Sequence, residues 1–214
     1  MGRKTDVQDR MLLPFLRLGD GVIDVGANIG NYTERFARAV GPTGHVIGIE
    51  PDEDNLRKAI ARCADMPQVE FVHAACAGAN GSRVLYLGVE RRSHNSFWQR
   101  NIPGGKANKS RPCELVTLDE VAATARGLRA IKVDTQGAEL LVLKGAAATL
   151  ARFDGVWQIE LWPFGLESAG TTLKTVVQRF QATGWQPHQT NWLEVVRRAK
   201  TIRAHTSFDV VVTR

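Results

Sequence analysis

The chain of 214 residues has 43% hydrophobic and 23% charged residues, which is typical of a folded globular protein. No segment approaches the roughly 18 apolar residues of a membrane-spanning helix, and the polar N-terminus lacks the apolar core of a secretory signal. The three scattered cysteines argue against a disulfide framework or a CxxC zinc site. We expect a cytoplasmic protein without a membrane partner. Its net charge of +6 is modest for a nucleic-acid-binding protein and is interpreted as a solvated basic face.

Apolar segments of strand length alternate with segments of helical period, a pattern typical of βαβ units and a parallel sheet. The sequence predicts a helix within residues 1–20. The predicted strands that follow are Val22–Val25, His45–Ile49, Val69–His73, Ala130–Val133, Gly155–Leu161 and Phe208–Thr213, and a strand or turn begins at Gly184. The predicted helices are Gln8–Leu18, Tyr32–Val40, Glu53–Ala64, Leu118–Ala125 with Thr117 as N-cap, Ala138–Arg152 and Thr171–Thr183. The sequence predicts one α/β domain over residues 1–214, with a seven-stranded, mostly parallel sheet and helices on both faces.

Region 82–116 departs from this alternation and is predicted to be an insertion. Ser82–Val89 alternates like one arm of an antiparallel hairpin, whereas Glu90–Arg111 is polar and shows no periodicity. Long loops in compact domains are usually functional lids or else mobile. Within it, Ser93–Trp98 mixes hydroxyl, imidazole, amide and aromatic groups. We interpret this segment as a lid that contacts a ligand, with Ser96 as a candidate contact; a surface loop tucked against the body is the alternative.

A glycine-rich turn joins the first predicted strand to the next helix. Gly26 and Gly30 have no Cβ, so a ligand can approach the backbone closely. A dinucleotide site would carry a third glycine here. Asp24, just before the turn, suits a ligand with an ammonium group better than a pyrophosphate. S-adenosylmethionine, through its methionine end, is such a ligand.

An acidic residue follows the second predicted strand at the spacing that ribose recognition uses. Glu50 lies 20 residues after Gly30, where a carboxylate can accept hydrogen bonds from ribose hydroxyls. The end of the third strand is expected beside the nucleobase, although His73 can equally be a strand-end histidine with a structural hydrogen bond. The pattern predicts a nucleoside-type cofactor site formed by Asp24, Gly26, Ala27, Asn28, Gly30, Tyr32, Glu50, Pro51, Asn55, His73, Ala74, Ala75, Ser96 and Asp134.

Three motifs in order resemble the FkbM family of methyltransferases. They are the DVGANIG of Asp24–Gly30, the AIKVDTQGAE of Ala130–Glu139 and the VLKG of Val142–Gly145. The resemblance implies a single Rossmann-like class I methyltransferase domain. It also implies methyl transfer from S-adenosylmethionine to a hydroxyl oxygen of a small molecule, sugar or natural product. The sequence departs from the family at Thr135–Gln136, where members typically carry Val-Glu.

Three acidic residues are candidates for the chemistry. Asp134 and Glu160 end the fourth and fifth predicted strands, and parallel strands place such residues at the same crevice. We expect both to converge on the acceptor, one as general base and the other as a positioning group. Glu139 is the third candidate, or else a carboxylate that complements a helix dipole. Lys132 is interpreted as a lysine on a sheet face or edge.

A divalent ion is the less favoured alternative. Mg²⁺ could bind Asp134 and Glu160 together with Glu139 or His94, and it would lower the pKa of an acceptor hydroxyl. No residue is assigned as a metal ligand.

Other functions stay open from the sequence. Some FkbM relatives methylate amide nitrogens of peptides, so N-methylation of a peptide, amide or amine is one alternative. A non-catalytic nucleoside-binding module is another. The chain lacks the third glycine that a nicotinamide dehydrogenase would carry. It also lacks the NPP[YF]-like motif of many nucleic-acid methyltransferases. The expected partner is therefore a small-molecule or natural-product acceptor rather than a nucleic acid, with the oligomeric state left unassigned.

Overall fold

The computed structural model describes residues 11–88, 95–102, 107, 109–202 and 206–214. Its strands are β1 Gly21–Val25, β2 His45–Ile49, β3 Val69–Val72, β4 Ala75–Cys76, β5 Gly81–Leu87, β6 Lys109–Val116, β7 Leu128–Val133, β8 Val156–Leu161, β9 Gln186–Pro187 and β10 Phe208–Thr213. Its α-helices are α1 Asn31–Val40, α2 Glu53–Arg62, α3 Leu118–Thr124, α4 Glu139–Lys144, α5 Ala147–Arg152, α6 Pro163–Ser168, α7 Leu173–Gln181 and α8 Trp192–Thr201.

The main sheet has seven strands in the order β3-β2-β1-β7-β8-β10-β9. Strands β3, β2, β1, β7 and β8 are parallel, and β10 runs antiparallel to both β8 and β9. The strand order reverses between β1 and β7, and open α/β sheets bind ligands in the crevice at such a switch point. The predicted α/β class and mostly parallel seven-stranded sheet are confirmed.

Apolar side chains cover both faces of this sheet. Strands β1, β2 and β8 are buried along their whole length, as expected for parallel strands covered by helices. The larger core lies under the helices that follow β6, and it includes Leu118, Val142, Leu150, Trp157, Phe180 and Trp192. The second core lies under α1 and the N-terminal segment, and it includes Leu12, Phe36, Val46, Ala130 and Val211. No helix in the described part of the chain combines the length and apolar character that crossing a bilayer requires.

The region after β3 forms a second, three-stranded sheet in the order β4-β6-β5. Strands β5 and β6 pair antiparallel, so the predicted hairpin arm has a partner that the sequence did not reveal. Ser96 forms a bridge with Tyr86 of β5, and Phe97 packs into a small core between this sheet and α4. Of the segment predicted to be a lid, Ser93 and His94 lie outside the described residues.

Two predicted helices differ in the structure. The described part of Gln8–Leu18 contains only the 3-10 turn Leu13–Phe15, because Pro14 has no amide hydrogen and the chain is extended from Leu16. The predicted helix Ala138–Arg152 is two helices, α4 and α5, broken at Gly145. A Cβ at Gly145 would collide with the Ala77 carbonyl oxygen, so the chain must bend where β4 approaches it.

Two helices were not predicted. Helix α6 begins at Pro163, directly after β8, and α8 begins after the N-cap Asn191, whose side chain accepts a hydrogen bond from Glu194 N. The predicted N-cap Thr117 is confirmed. It forms a capping box with Glu120, in which each side chain accepts a hydrogen bond from the other residue's backbone amide.

Candidate functional site

A cavity of about 320 Å³ lies at the carboxyl ends of β1, β2, β7 and β8. The predicted site residues among its lining are Gly26, Ala27, Asn28, Tyr32, Glu50, Pro51, Asn55, Ala74, Ala75, Ser96, Asp134 and Glu160. Three further lining residues agree with the sequence interpretation: Asn95 and Phe97 belong to the segment predicted to be a lid, and Trp162 follows β8, where a wall of the acceptor pocket was expected. Sequence reasoning did not assign the other lining residues, which are Val25, Asn31, Ile49, Cys76, Leu85, Lys132, Thr135, Gln136, Ala138 and Ser207. The glycine turn, the acidic residue after β2, the carboxylate after β7 and the carboxylate near the end of β8 therefore meet in one cavity.

The glycine turn is held tightly against the end of β7. Gly26 has φ 85°, and a Cβ there would collide with the Asp134 carbonyl oxygen. Asn28 is also left-handed, with φ 53°, which asparagine tolerates better than most residues. Gly30 does not line the cavity. A Cβ there would press on Ala59, so this glycine lets α1 and α2 pack closely.

Glu50 links the glycine turn to the start of α2. Its Oε2 accepts a hydrogen bond from Asn28 N at 2.8 Å, and its Oε1 accepts one from Asp52 N at 2.9 Å. Burial raises the pKa of Glu50 to about 7, although these backbone donors oppose the rise. Carboxylate oxygens can accept more than one hydrogen bond each, so Glu50 keeps capacity for hydroxyl donors in the cavity.

A buried lysine lies between two aspartates on adjacent strands. Lys132 of β7 is in register with Asp24 of β1, and it is 1% exposed. Its Nζ lies 3.1 Å from Asp134 Oδ2, 3.8 Å from Asp24 Oδ1 and 4.5 Å from the centre of the Tyr32 ring. Burial lowers the pKa of Lys132, but the carboxylates of Asp134 and Asp24 raise it by more. Lys132 is thus a buried cation, not the sheet-face or edge lysine that we expected.

Asp24 lies beneath the cavity and does not line it. The residue is fully buried, and its Oδ2 accepts a hydrogen bond from Thr33 Oγ1 at 2.7 Å. Burial raises its pKa, against the opposing charge of Lys132. The structure therefore places Lys132 beside this carboxylate.

The carboxyl groups of Asp134 and Glu160 face each other through one amide. Gln136 Nε2 donates to Asp134 Oδ1 at 3.0 Å and to Glu160 Oε2 at 2.9 Å. Burial and the charge of Asp134 raise the pKa of Glu160 well above its ordinary value. Burial alone would also raise the pKa of Asp134, but Lys132 and a hydrogen bond with Glu160 lower it. The negative charge of the pair therefore rests preferentially on Asp134.

Glu139 lies on the opposite side of the turn that follows β7. It is fully buried, and its Oε1 accepts hydrogen bonds from Thr135 N, Thr135 Oγ1 and Gly137 N at 3.0–3.2 Å. Burial raises its pKa to about 7. Glu139 does not line the cavity, so the structure places it as a support for the turn that carries Gln136.

His73 also lies outside the cavity lining. It is exposed, and its Nε2 lies 3.2 Å from the Pro51 carbonyl oxygen. The next residues, Ala74 and Ala75, do line the cavity, opposite Leu85 and Phe97 of the insertion. These apolar side chains form a wall suited to a flat aromatic group. Over the described residues, no group of three or more His, Cys, Asp or Glu side chains could hold a metal ion, and His94 lies outside that part.

The chain matches the model of a known protein family. The model of the FkbM methyltransferase domain matches residues 24–185, which include the glycine turn, Glu50, Asp134 and Glu160. The chain belongs to the FkbM methyltransferase family. The match contains all three motifs on which the resemblance was based, and it ends at the residue before β9.

Known proteins share parts of the sequence and the fold with this FkbM protein. Demethylmenaquinone methyltransferase of Staphylococcus aureus is 38% identical over 58 residues, which are 27% of this chain and 24% of that enzyme. The chain therefore matches about a quarter of the length of this curated relative.

Solved structures show the same fold. An FkbM methyltransferase of Methylobacillus flagellatus superposes with a TM-score of 0.58 at 16% identity, covering 94% of this chain and 45% of that one. An rRNA methylase of Streptococcus thermophilus has a TM-score of 0.55 at 14% identity and covers 100% and 98% of the two chains. Fibrillarin of Aeropyrum pernix, with natively bound S-adenosyl-L-methionine, has a TM-score of 0.54 at 10% identity, covering 92% and 67%. Because an rRNA methylase shares the fold, the comparisons do not support our expectation that nucleic acid is excluded as a partner.

Proposed function

We propose that this FkbM protein is an S-adenosylmethionine-dependent methyltransferase that acts on a hydroxyl oxygen of a small molecule, sugar or natural product. The observation that carries the proposal is the convergence of Asp134 and Glu160 on the cavity that also contains the glycine turn and Glu50. Family membership and the fold shared with a fibrillarin that binds S-adenosyl-L-methionine support the choice of cofactor.

The cavity residues fit the cofactor part by part. Gly26 and Ala27 would let the methionine part approach the backbone, because no bulky side chain intervenes. Glu50 would accept hydrogen bonds from the ribose hydroxyls. Ala74 and Ala75 would contact the base. Asn95 supports this fit, since its buried Nδ2 has no hydrogen-bond partner in the structure and the residue lines the cavity.

Asp134 and Glu160 would act on the acceptor. Bound S-adenosylmethionine supplies an electrophilic methyl group on a sulfonium. In our proposal the ionised Asp134 accepts a hydrogen bond from the acceptor hydroxyl, which aligns the oxygen with that methyl group. As the new C–O bond forms and the C–S bond breaks, the hydroxyl proton becomes acidic and passes to Asp134. Glu160, on the other side of the Gln136 amide, would position the acceptor, and Trp162 would wall this side of the cavity.

Titration calorimetry with S-adenosylhomocysteine, with NAD in parallel, tests the cofactor. We expect saturable binding of S-adenosylhomocysteine alone, and weaker binding by Glu50→Ala. Binding of NAD alone would contradict the proposal. Binding of neither compound would indicate that the glycine turn has a structural role only and is not part of a cofactor site.

A turnover assay tests the chemistry and the acceptor. Hydroxyl compounds, peptides and an rRNA fragment are offered with radiolabelled S-adenosylmethionine, with and without EDTA. We expect label on hydroxyl compounds, undiminished by EDTA. Asp134→Asn should reduce turnover by about 100-fold or more and keep affinity for S-adenosylhomocysteine, whereas the exposed control Asp154→Asn should change neither. Label on a peptide nitrogen or on RNA would show that the acceptor is a peptide or an RNA and not a hydroxyl compound. No label on any acceptor would favour a non-catalytic module.

A further inference from the structure

Gln136 occupies a fixed and unusual position in the turn after β7. Its φ of 53° is uncommon for a residue other than glycine. Its carbonyl oxygen accepts hydrogen bonds from Ser96 Oγ at 3.0 Å and from Asn101 Nδ2 at 2.9 Å. The insertion therefore holds the backbone of Gln136, and with it the direction of the side chain.

The Gln136 amide completes a full set of donors around the two carboxyl groups. Its Nε2 contacts one oxygen of Asp134 and one of Glu160, as described above. The second oxygen of Asp134 contacts Lys132 Nζ at 3.1 Å, and the second oxygen of Glu160 accepts from Ser207 Oγ at 2.6 Å. Each of the four carboxyl oxygens thus has a donor from the protein itself.

This donor set bears on how the site balances its negative charge. Two carboxyl groups this close can share a proton, or a hard cation can bind between them with oxygen ligands. The Gln136 Nε2 donates to both carboxyl groups, so in this orientation the amide occupies the bridging place that a cation would need. A glutamate at this position would do the opposite, because it would remove two donors and add a third carboxylate of the same length.

We infer that Gln136 is a positioning residue whose amide occupies the place of a divalent cation between Asp134 and Glu160, so that side-chain donors of the protein, and not a metal ion, balance the charge of the pair. The inference rests on the proposed function in assigning this pair to the acceptor. It predicts that the single replacement Gln136→Glu creates a divalent-cation site that the natural chain does not have.

Mn²⁺ titration followed by electron paramagnetic resonance tests this. We expect no specific Mn²⁺ site in the natural protein and one site in Gln136→Glu, with affinity increased by about 10–100-fold or more. Adding Asp134→Asn to that variant should remove the site. The matched control is Gln178→Glu, which makes the same charge change at an exposed position on α7 and should bind no better than the natural protein.

Two results of this titration would overturn the inference. One is a Mn²⁺ site in the natural protein that Glu160→Gln abolishes, and the other is a folded Gln136→Glu variant without increased affinity. Cooperative urea unfolding reports whether each variant is folded. Binding of S-adenosylhomocysteine separates the two proposals, because failure of the natural protein to bind it counts against the methyltransferase and not against the Mn²⁺ result.

A second measurement does not depend on Gln136→Glu being stable. In Gln136→Met, which keeps the side-chain length without a donor, the ionised forms of both carboxyl groups lose a hydrogen bond. The pKa of Glu160, followed by ¹³C NMR and assigned with Glu160→Gln, should therefore rise above that in the natural protein. An unchanged titration would show that the amide does not control the pair, and it would refute the inference.

Discussion

Replacing Glu139 by glutamine separates a structural role of this residue from a catalytic one. Its buried Oε1 accepts three hydrogen bonds from the turn Thr135–Gly137, and a glutamine oxygen can accept the same three. The change therefore removes the ionisable group while keeping the support for the turn. Since Glu139 does not line the cavity, Glu139→Gln should leave S-adenosylhomocysteine binding and turnover close to those of the natural protein.

The magnitude follows from the pKa of Glu139. Burial raises it from 4.5 to about 7, so between these values the folded state binds more protons than the unfolded chain. Stability therefore falls as the pH rises through this interval, and the loss is complete above about pH 7. At about 1.4 kcal/mol per pH unit, ionising Glu139 costs the folded state about 3 kcal/mol. Glutamine stays neutral, so the variant avoids this cost.

Urea unfolding at pH 5 and pH 8 measures the effect. We expect Glu139→Gln to lose about 2.5 kcal/mol less stability between the two pH values than the natural protein does, because the part of the loss below pH 5 lies outside this interval. Glu50, whose pKa is also about 7, contributes equally to both proteins and cancels in the comparison. The exposed control Glu167→Gln should keep the natural pH dependence. The same pH dependence in Glu139→Gln and the natural protein would refute the reasoning, and a large loss of turnover would return Glu139 to the catalytic candidates.

Three further replacements test the packing around the cavity. Gly26→Ala adds a Cβ that collides with backbone at φ 85°, so S-adenosylhomocysteine binding should be lost. The control Gly184→Ala has the same φ, but its Cβ would enter open space. It should cost only about 1–2 kcal/mol of unfolding free energy and keep binding. Lys132→Met leaves the buried Asp24 and the partly exposed Asp134 without their counter-ion, so urea unfolding at pH 7 should show a loss of about 3–5 kcal/mol that shrinks at pH 4. An equal loss at both pH values would contradict this. Thr117→Ala removes the capping box and should lower the melting temperature through a loss of about 1 kcal/mol, with S-adenosylhomocysteine affinity unchanged in calorimetry.

Local signals predicted the part of the fold that is encoded locally. The strands His45–Ile49 and Phe208–Thr213 have the predicted bounds, because each is a short apolar segment with clear flanking turn residues. The glycine turn and Glu50 were also found, since both depend on residues close in the chain. Strand β6 was missed because its pairing with β5 across the insertion, and not its own periodicity, makes it a strand. Helix α8 was missed because only Trp192 and Val195 of its residues are buried, which gives a short apolar pattern.

The buried charges could not be read from one segment of the chain. Lys132 lies between apolar neighbours, and sequence alone assigns such a lysine to an exposed position. Its partner Asp24 lies on β1, more than 100 residues earlier, and the two meet only through the parallel register of β1 and β7. A signal was nevertheless present: a lysine in a strand that is buried on both faces requires a carboxylate on a neighbouring strand.

The turn after β7 shows why residues of similar chemistry have different roles within one motif. Glu139 and Gln136 are three residues apart, yet their side chains lie on opposite sides of the turn. Glu139 Oε1 accepts hydrogen bonds from the backbone amides of the turn. These bonds fix the left-handed conformation in which Gln136 directs its amide into the cavity. The first position requires an oxygen acceptor, because three donors converge there. At the second position the two facing carboxyl groups require a donor, and glutamine supplies it where a glutamate would need a cation or another proton.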